Sequence, residues 1–191
     1  RRVLHNQPDR SVVVVQVGFS TNLAQLISSQ PDAESPLKGP ELIRRKVRLL
    51  SMMAGAFRPI DGRRRFLEYN VVKDLEHARK LVSEWPAPIV FSGFEIGYAV
   101  RFPAESIERD FSYVEHHPLA ESYLMYEPAP HHRPTWDLTS VLYAAYPERG
   151  YFALSESGRV TVEDDGNTVF ESRPDGGHRY LILEKTQVGR V

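Results

Sequence analysis

The chain contains no cysteine among its 191 residues. This absence excludes disulfide bonds, thiolate catalysis and cysteine-ligated zinc, but it does not fix the compartment, because a secreted protein need not carry disulfides. Long apolar runs are missing as well, and no stretch approaches the roughly 20 residues that a membrane-spanning helix needs. We therefore expect a soluble protein without a membrane partner, and the choice between cytoplasm and periplasm stays open.

The chain also lacks an excess of charge of either sign. Its 24 Lys and Arg residues nearly balance its 25 Asp and Glu residues, which leaves a formal net charge of −1. This balance gives no reason to expect nucleic acid as a partner. Two short arginine clusters, at residues 44–45 and 63–65, are typical of a solvated surface. The length and the ordinary hydrophobic content predict one domain with a real core.

Apolar strands and amphipathic helices alternate in the first part of the chain. Residues 11–17 contain the run Val-Val-Val-Val, which is typical of a strand buried on both faces. Residues 47–53 and 88–92 are two further apolar runs of strand length. Apolar residues at helical spacing follow Leu23 and Asp74, and we expect Asp74 to cap the second helix. The order strand, helix, strand, helix, strand predicts parallel neighbours with right-handed crossovers.

The pattern changes after Pro147. Short strand-like segments at 151–154, 159–163, 168–171 and 180–183 are separated by glycine-containing turns, which is typical of antiparallel pairing. We therefore predict an α/β fold with a mostly parallel open sheet and flanking helices. Residues 1–147 would form this α/β core, and residues 148–191 would form a C-terminal antiparallel β appendage of the same domain.

Polar side chains follow the second predicted strand near its carboxyl end. Met53 ends that strand, and Glu68 and Asn70 come just before the next helix. Ligands of α/β proteins bind in the crevice at the carboxyl ends of the strands, so this cluster is a candidate site. Glu and Asn together accept hydrogen bonds from hydroxyls and donate hydrogen bonds to them, which suits a sugar.

Three separated motifs carry a resemblance to a known family. They are Gly-Phe-Ser-Thr-Asn-Leu-Ala at 18–24, Met-Ala-Gly at 53–55 with Glu-Tyr-Asn at 68–70, and Thr-Trp-Asp-Leu at 135–138. In this order they resemble the inosine–uridine-preferring nucleoside hydrolases. That family has Gly-Pro-Leu-Thr-Asn-Ile-Ala, then Met-Gly-Gly and Glu-Phe-Asn, then His-Asp opening a helix. The resemblance spans residues 12–146.

The resemblance implies an open α/β sheet with a calcium ion at the strand ends. By position, the main-chain carbonyl of Thr21 and the carboxylate of Asp137 would be calcium ligands. The substrate pocket would be lined by Met53, Glu68, Asn70 and Trp136. Calcium takes hard oxygen ligands, and a bound metal lowers the pKa of its water. The implied activity is cleavage of the N-glycosidic bond of a ribonucleoside or related N-glycoside by this water.

Two departures from the family pattern bear on activity. Trp136 stands where the family has His, and an indole cannot act as a general acid, although it can stack on a ring. Nothing before Val12 resembles the Asp cluster that supplies most of the family's calcium ligands and its catalytic base. The chain begins Arg-Arg-Val without Met. We therefore expect the larger, C-terminal part of such a domain, with a site that is incomplete in this chain alone and calcium bound only in the intact site.

Several alternatives stay open. Thr21 and Asp137 are also explained as groups at helix N-termini, Met53 as a core residue, and Glu68 and Asn70 as capping groups. A degenerate protein that binds a nucleoside or sugar without cleaving it is the main functional rival, and a different sugar substrate stacked on Trp136 is a weaker one. The partners expected are a nucleoside or sugar-like molecule, an N-terminal fragment of the same protein, and a second copy of the chain in a homo-oligomer.

Overall fold

The computed structural model describes residues 1–187, 189 and 191, which form alternating strands and helices. The strands are β1 (Val12–Gln16), β2 (Val47–Met53), β3 (Ile89–Ser92), β4 (Arg101–Phe102), β5 (Arg133–Pro134), β6 (Ala153–Leu154), β7 (Gly158–Val162), β8 (Thr168–Ser172) and β9 (His178–Ile182). The helices are α1 (Arg2–His5), α2 (Thr21–Ser28), α3 (Gly39–Lys46), α4 (Tyr69–Lys73), α5 (Leu75–Glu84), α6 (Phe94–Ala99), α7 (Ala104–Arg109), α8 (Pro118–Tyr126) and α9 (Trp136–Ala145).

One sheet organises the molecule, and its strands lie in the order β1-β2-β3-β9-β7-β8. The first four are mutually parallel, whereas β7 pairs antiparallel with β8 and with β9, and β6 pairs antiparallel with β9. The predicted α/β class, with a mostly parallel sheet and antiparallel C-terminal strands, is confirmed. The last strand differs from its predicted pairing, because β9 lies parallel beside β3 and makes the C-terminal strands continuous with the sheet.

Hydrophobic clusters cover both faces of the sheet. The larger cluster joins α2, α3 and α5 to one face, with Leu42, Leu50, Leu81 and Phe91 fully buried. The smaller cluster lies on the other face, where Tyr143 of α9 packs with residues of α6, β3 and β9. Helices α2, α3 and α5 turn their apolar sides toward the sheet, as expected of a layered fold.

Strand β1 is less buried than its four valines predict. Val12, Val13 and Val14 are half-buried, and Val15 is 36% exposed. The prediction of a strand buried on both faces is wrong, because β1 is the outermost strand of the sheet in the described residues. An apolar run shows that a strand needs cover, but it does not show whether the cover lies in the same chain.

Three short helices were not predicted, namely α1, α4 and α6, and the cap predicted at Asp74 is also not formed. Asp74 makes no side-chain capping bond to α5, which it precedes. Its carboxylate instead accepts hydrogen bonds from Thr21 at the start of α2. None of the helices in the described part of the chain is long and apolar enough to cross a membrane.

Candidate functional site

The carboxyl ends of β1, β2 and β3 meet at one edge of the sheet, since the three strands are parallel neighbours. Helix α9 begins at the same edge. The hydroxyls of Ser92 and Thr139 are 2.6 Å apart, and the Ser51 hydroxyl donates to the carbonyl of Ser140 at 2.9 Å. These buried bonds fix the first turn of α9, which carries Asp137, over the ends of the strands.

Glu68 is the most buried ionisable group at this edge, with 2% of its surface exposed. Its Oε1 accepts a hydrogen bond from the Asn70 amide at 2.9 Å, so Glu68 caps α4. Its Oε2 accepts from the Val71 amide at 3.1 Å and from the Gly55 amide at 3.3 Å. The carboxylate therefore links the start of α4 to the loop that follows β2.

Burial raises the pKa of Glu68 above its usual value, because the charged form loses hydration. The three backbone amides oppose this shift, and the charge of Asp137 adds to it. The first turn of α9 places Asp137 at the same edge of the sheet as Glu68, although the resemblance assigned Glu68 to the sugar and Asp137 to calcium. Partial burial also raises the pKa of Asp137.

Asn70 and Met53 are in direct contact. The side-chain amide of Asn70 donates to the sulfur of Met53 at 3.4 Å, and Met53 is buried at the end of β2. Asn70 lies in the first turn of α4, immediately after the Glu68 cap, so both polar side chains are placed by the same short helix. The structure thus brings together three of the residues predicted for the substrate pocket.

Thr21, at the start of α2, is bound by Asp74, which precedes α5. Its amide and its hydroxyl both donate to Asp74 Oδ2, at 2.8 and 2.9 Å. The other oxygen of Asp74 lies 2.6 Å from Nδ1 of His77. Asp74 therefore supplies the acceptor that α2 lacks from its own N-cap residue, Ser20. The hydrogen bonds of the described residues include none between Thr21 and Asp137.

Trp136 faces α6. Its indole N–H donates to the carbonyl of Phe94 at 3.1 Å, and the ring centroids of Trp136 and Phe94 are 5.1 Å apart. The guanidinium of Arg133 lies over the Trp136 ring at 5.6 Å. The indole donor is therefore already used by the protein, so what remains for a ligand is part of the ring surface.

Sequence reasoning assigned no role to Glu95 or to Thr168, yet both hold the loop after β2. The Ala56 amide donates to the Thr168 hydroxyl at 3.0 Å, and the Phe57 amide donates to Glu95 Oε1 at 3.2 Å. The other oxygen of Glu95 is buried without a hydrogen-bond partner among the described residues. Burial raises the pKa of Glu95 to about 7. Because Thr168 is 112 residues away from Ala56, no local pattern could have revealed this contact.

A calcium site was implied by the resemblance, and the residues described fit it in kind but not in number. Thr21 and Asp137 offer hard oxygens, whereas calcium takes about six to eight. Within residues 1–187, 189 and 191, no group of three or more His, Cys, Asp or Glu side chains is placed to hold a metal ion. The described residues implied as ligands therefore supply fewer oxygens than a calcium ion takes.

Comparisons by sequence find no matching family model and no matching curated protein. Solved structures of nucleoside hydrolases do match. A plant nucleoside hydrolase has a TM-score of 0.67 at 18% identity, with 99% of this chain and 63% of that chain covered. The inosine–uridine-preferring nucleoside hydrolase from Bacillus anthracis has a TM-score of 0.65 at 17% identity, covering 97% and 59%.

A purine-preferring ribonucleoside hydrolase from Gardnerella vaginalis has a TM-score of 0.66 at 13% identity, covering 99% of this chain and 61% of that chain. The present chain thus spans about three fifths of the length of these structures. At such low identity the likeness concerns the fold. The chain has the fold of the nucleoside hydrolases over nearly its whole length.

Proposed function

We propose that the intact protein to which this chain belongs is an N-glycosidase of the nucleoside hydrolase type, which cleaves a ribonucleoside or a related N-glycoside. The observation that carries the proposal is the cluster of Met53, Glu68, Asn70 and Asp137 at the carboxyl edge of a sheet whose fold matches nucleoside hydrolases. This edge is where ligands bind in open α/β sheets.

In this proposal Glu68 and Asn70 bind the sugar. An ionised Glu68 accepts hydrogen bonds only, and the three backbone amides leave about one of its four lone-pair sites for a sugar hydroxyl. Asn70 both donates and accepts. Hydrogen bonds to sugar hydroxyls strengthen as the sugar approaches an oxocarbenium-like transition state, which favours cleavage of the bond to the base.

Activation of water is left to groups outside this chain. We propose that the intact site holds calcium, with the Thr21 carbonyl and the Asp137 carboxylate as two of its ligands. When bound, such an ion orients a water molecule and lowers its pKa. The remaining ligands and the catalytic base are expected in an upstream segment, so the present chain alone should not hydrolyse a nucleoside.

Replacing Asp137 by Ala in the intact protein tests this assignment. Calcium binding is measured by calorimetry, and hydrolysis of inosine and uridine is measured by release of reducing sugar. Both should be lost in Asp137→Ala, because one carboxylate ligand is removed. Asp175→Ala is the control, since Asp175 is an exposed acid in the turn before β9, at the opposite end of the sheet. Unchanged activity in Asp137→Ala would contradict the proposal.

A second candidate function is binding of a nucleoside or sugar without cleavage. It is favoured by Trp136, whose N–H is committed to Phe94 and whose ring has no proton to give at neutral pH. Equilibrium dialysis with inosine, followed by chromatography of both compartments, separates the two functions. A higher concentration of intact inosine in the protein compartment than in the other compartment, at full mass balance and with calcium present, would establish the binding function.

A further inference from the structure

The segment that leads into α9 is held firmly beside the candidate site. Arg133 lies in β5, which pairs with β4. Two residues further on, the amide of Thr135 donates to the carbonyls of Gly97 and Val100, at 3.0 and 3.1 Å, and its hydroxyl donates to the Val100 carbonyl at 2.8 Å. The backbone of Arg133 is therefore fixed relative to the first turn of α9, which carries Asp137.

The guanidinium of Arg133 lies over two aromatic rings. Its central carbon is 4.0 Å from the ring centroid of Tyr126 and 5.6 Å from that of Trp136. The indole of Trp136 is itself fixed by its hydrogen bond to the carbonyl of Phe94. Contact with aromatic rings stabilises a guanidinium through its flat face, and the N–H donors at its edge stay available for paired hydrogen bonds.

No acid among the described residues neutralises this guanidinium. Five other arginines pair with carboxylates, namely Arg1, Arg45, Arg65, Arg79 and Arg173. Arg133 takes part in none of the ion pairs of the described residues, and its guanidinium donates none of their hydrogen bonds. Arg101 and Arg149 also lie over tyrosine rings, but both are exposed, whereas Arg133 is half-buried. A cation that loses hydration without gaining an acceptor is unfavourable, so an acceptor from a ligand would stabilise it.

Positive and negative charge are kept apart in the candidate site. Glu68 and Asp137 lie at the carboxyl edge of the sheet, and Arg133 forms no ion pair with either of them, although it is only four residues before Asp137. An arginine that serves to neutralise these acids would lie within about 4 Å of one of them. The site therefore has an acidic end, which suits hydroxyls, and a cationic end, which suits an anion.

We propose that Arg133 binds an anionic group of the substrate, a phosphate or a carboxylate, so that the preferred substrate is a charged N-glycoside. This inference rests on the proposed function, because the sugar of the same molecule would bind Glu68 and Asn70. A guanidinium fits either anion, since two of its N–H groups can donate in parallel to two oxygens. A neutral nucleoside leaves these donors unused and is therefore the poorer substrate.

A purely structural role of Arg133 is the main alternative. In that case the guanidinium joins α8 to α9 by lying over Tyr126 and Trp136, and the charge of the substrate is irrelevant. Loss of Arg133 would then lower the stability of the protein, or lower its activity toward every substrate by the same factor. A loss that is selective for anionic substrates is expected only if the guanidinium binds the anion.

Two matched pairs of compounds test the proposal in the intact protein with calcium. Inosine is compared with inosine 5′-monophosphate, which adds a phosphate to the sugar, and uridine is compared with orotidine, which adds a carboxylate to the base. We expect kcat/KM to be at least about 10-fold higher for the anionic member of one pair, the factor that charge-assisted hydrogen bonds typically provide. The pair that shows the preference identifies the anion. An anionic member that is no better than the neutral member in either pair would overturn the proposal.

Three variants show whether Arg133 is the cause of the preference. Arg133→Gln should lower kcat/KM at least about 10-fold more for the anionic member of the pair than for the neutral one. Arg133→Met keeps an apolar contact with both rings, serves if Arg133→Gln fails to fold, and should give the same selective loss. Arg149→Gln is the matched control and should keep the wild-type preference, since Arg149 lies over Tyr146 beyond the carboxyl end of α9. An equal loss for both members of each pair in the Arg133 variants would overturn the proposal.

Equilibrium dialysis with the same compounds separates this proposal from the proposed function. Suppose that no compound is cleaved, but that the wild type binds the anionic member at least about 10-fold more tightly and Arg133→Gln removes the difference. The proposed function then fails and the anion site stands. If inosine and uridine are cleaved, and neither binding nor cleavage depends on the anionic group, the anion site fails and the proposed function stands.

Discussion

Glu95 offers a test of the electrostatics around the loop after β2. Its Oε1 accepts a hydrogen bond from the Phe57 amide at 3.2 Å, and its Oε2 is buried without a partner among the described residues. Glutamine at this position keeps an oxygen for the Phe57 amide but never ionises. Glu95→Gln therefore removes the charge with little change in shape.

The size of the expected stability change follows from the pKa of the Glu95 carboxyl group. Burial raises this pKa from 4.5 to about 7, and hydrogen bonds from backbone amides and the charge of Arg58 partly oppose the rise. A carboxyl whose folded-state pKa is raised contributes its full stability below the unfolded-state pKa and loses it as the pH rises toward the folded-state pKa. At about 1.4 kcal/mol per pH unit the loss is about 2 to 3 kcal/mol, allowing for partial solvent screening.

Urea unfolding at pH 5 and pH 8 measures the difference between wild type and Glu95→Gln. We expect the two proteins to be nearly equal in stability at pH 5, and the variant to be more stable by about 2 to 3 kcal/mol at pH 8. Glu105→Gln, at an exposed position in the first turn of α7, controls for effects of the substitution itself. A difference that stays constant within about 0.5 kcal/mol between the two pH values would refute the reasoning.

Three further substitutions test other contacts by urea unfolding. Glu68→Ala leaves three backbone amides without their acceptor and should cost about 2 to 4 kcal/mol, whereas Glu76→Ala, at an exposed position in α5, should stay within about 0.5 kcal/mol of wild type. Asp74→Ala removes two hydrogen bonds from Thr21 and should cost about 1 to 2 kcal/mol; no loss would show that α2 needs no acceptor there. Burial, with a smaller effect of a nearby arginine, lowers the pKa of His178 to about 4. Between pH 6.5 and 4, His178 is therefore protonated in the unfolded chain but not in the folded chain. As the pH falls through this range, the free energy of unfolding should decrease by up to about 3 kcal/mol. His178→Gln should flatten that slope, and an unchanged slope would assign it to other groups.

The elements with strong local signals were predictable. The second strand was predicted with the bounds that the structure gives it, because it is a buried apolar run that ends in Met53. Helix α4 was missed because it has only five residues, although the sequence left open that Glu68 caps a helix, which it does at the start of α4. The parallel pairing of β9 with β3 depends on contacts across some 90 residues, which no periodicity reports.

In the candidate site, too, positions with a local sequence signal were predictable, and contacts between distant residues were not. The proximity of Asn70 to Met53 and of Glu68 to the loop after β2 was predictable, because a strand end followed by polar residues is a local pattern, and their role in a site stays a prediction. Asp74 was predicted to cap the helix that it precedes. In the structure its carboxylate accepts a hydrogen bond from Thr21, 53 residues away. Glu95 was passed over because its burial, and hence its raised pKa, depends on the packed loop and not on its neighbours in sequence.

The loop after β2 has a consequence for how mutational data on this protein are interpreted. Its three consecutive amides, from Gly55 to Phe57, are held by Glu68, Thr168 and Glu95, which come from three distant parts of the chain. Gly55 has a positive φ of 74°, and a side chain there would collide with Thr168, so this position in the loop requires glycine. Under the proposed function, a scan for nucleoside affinity would register substitutions at Thr168 alongside substitutions in the proposed pocket, and the Thr168 effects would report the position of the loop, because the Thr168 hydroxyl bonds the Ala56 backbone.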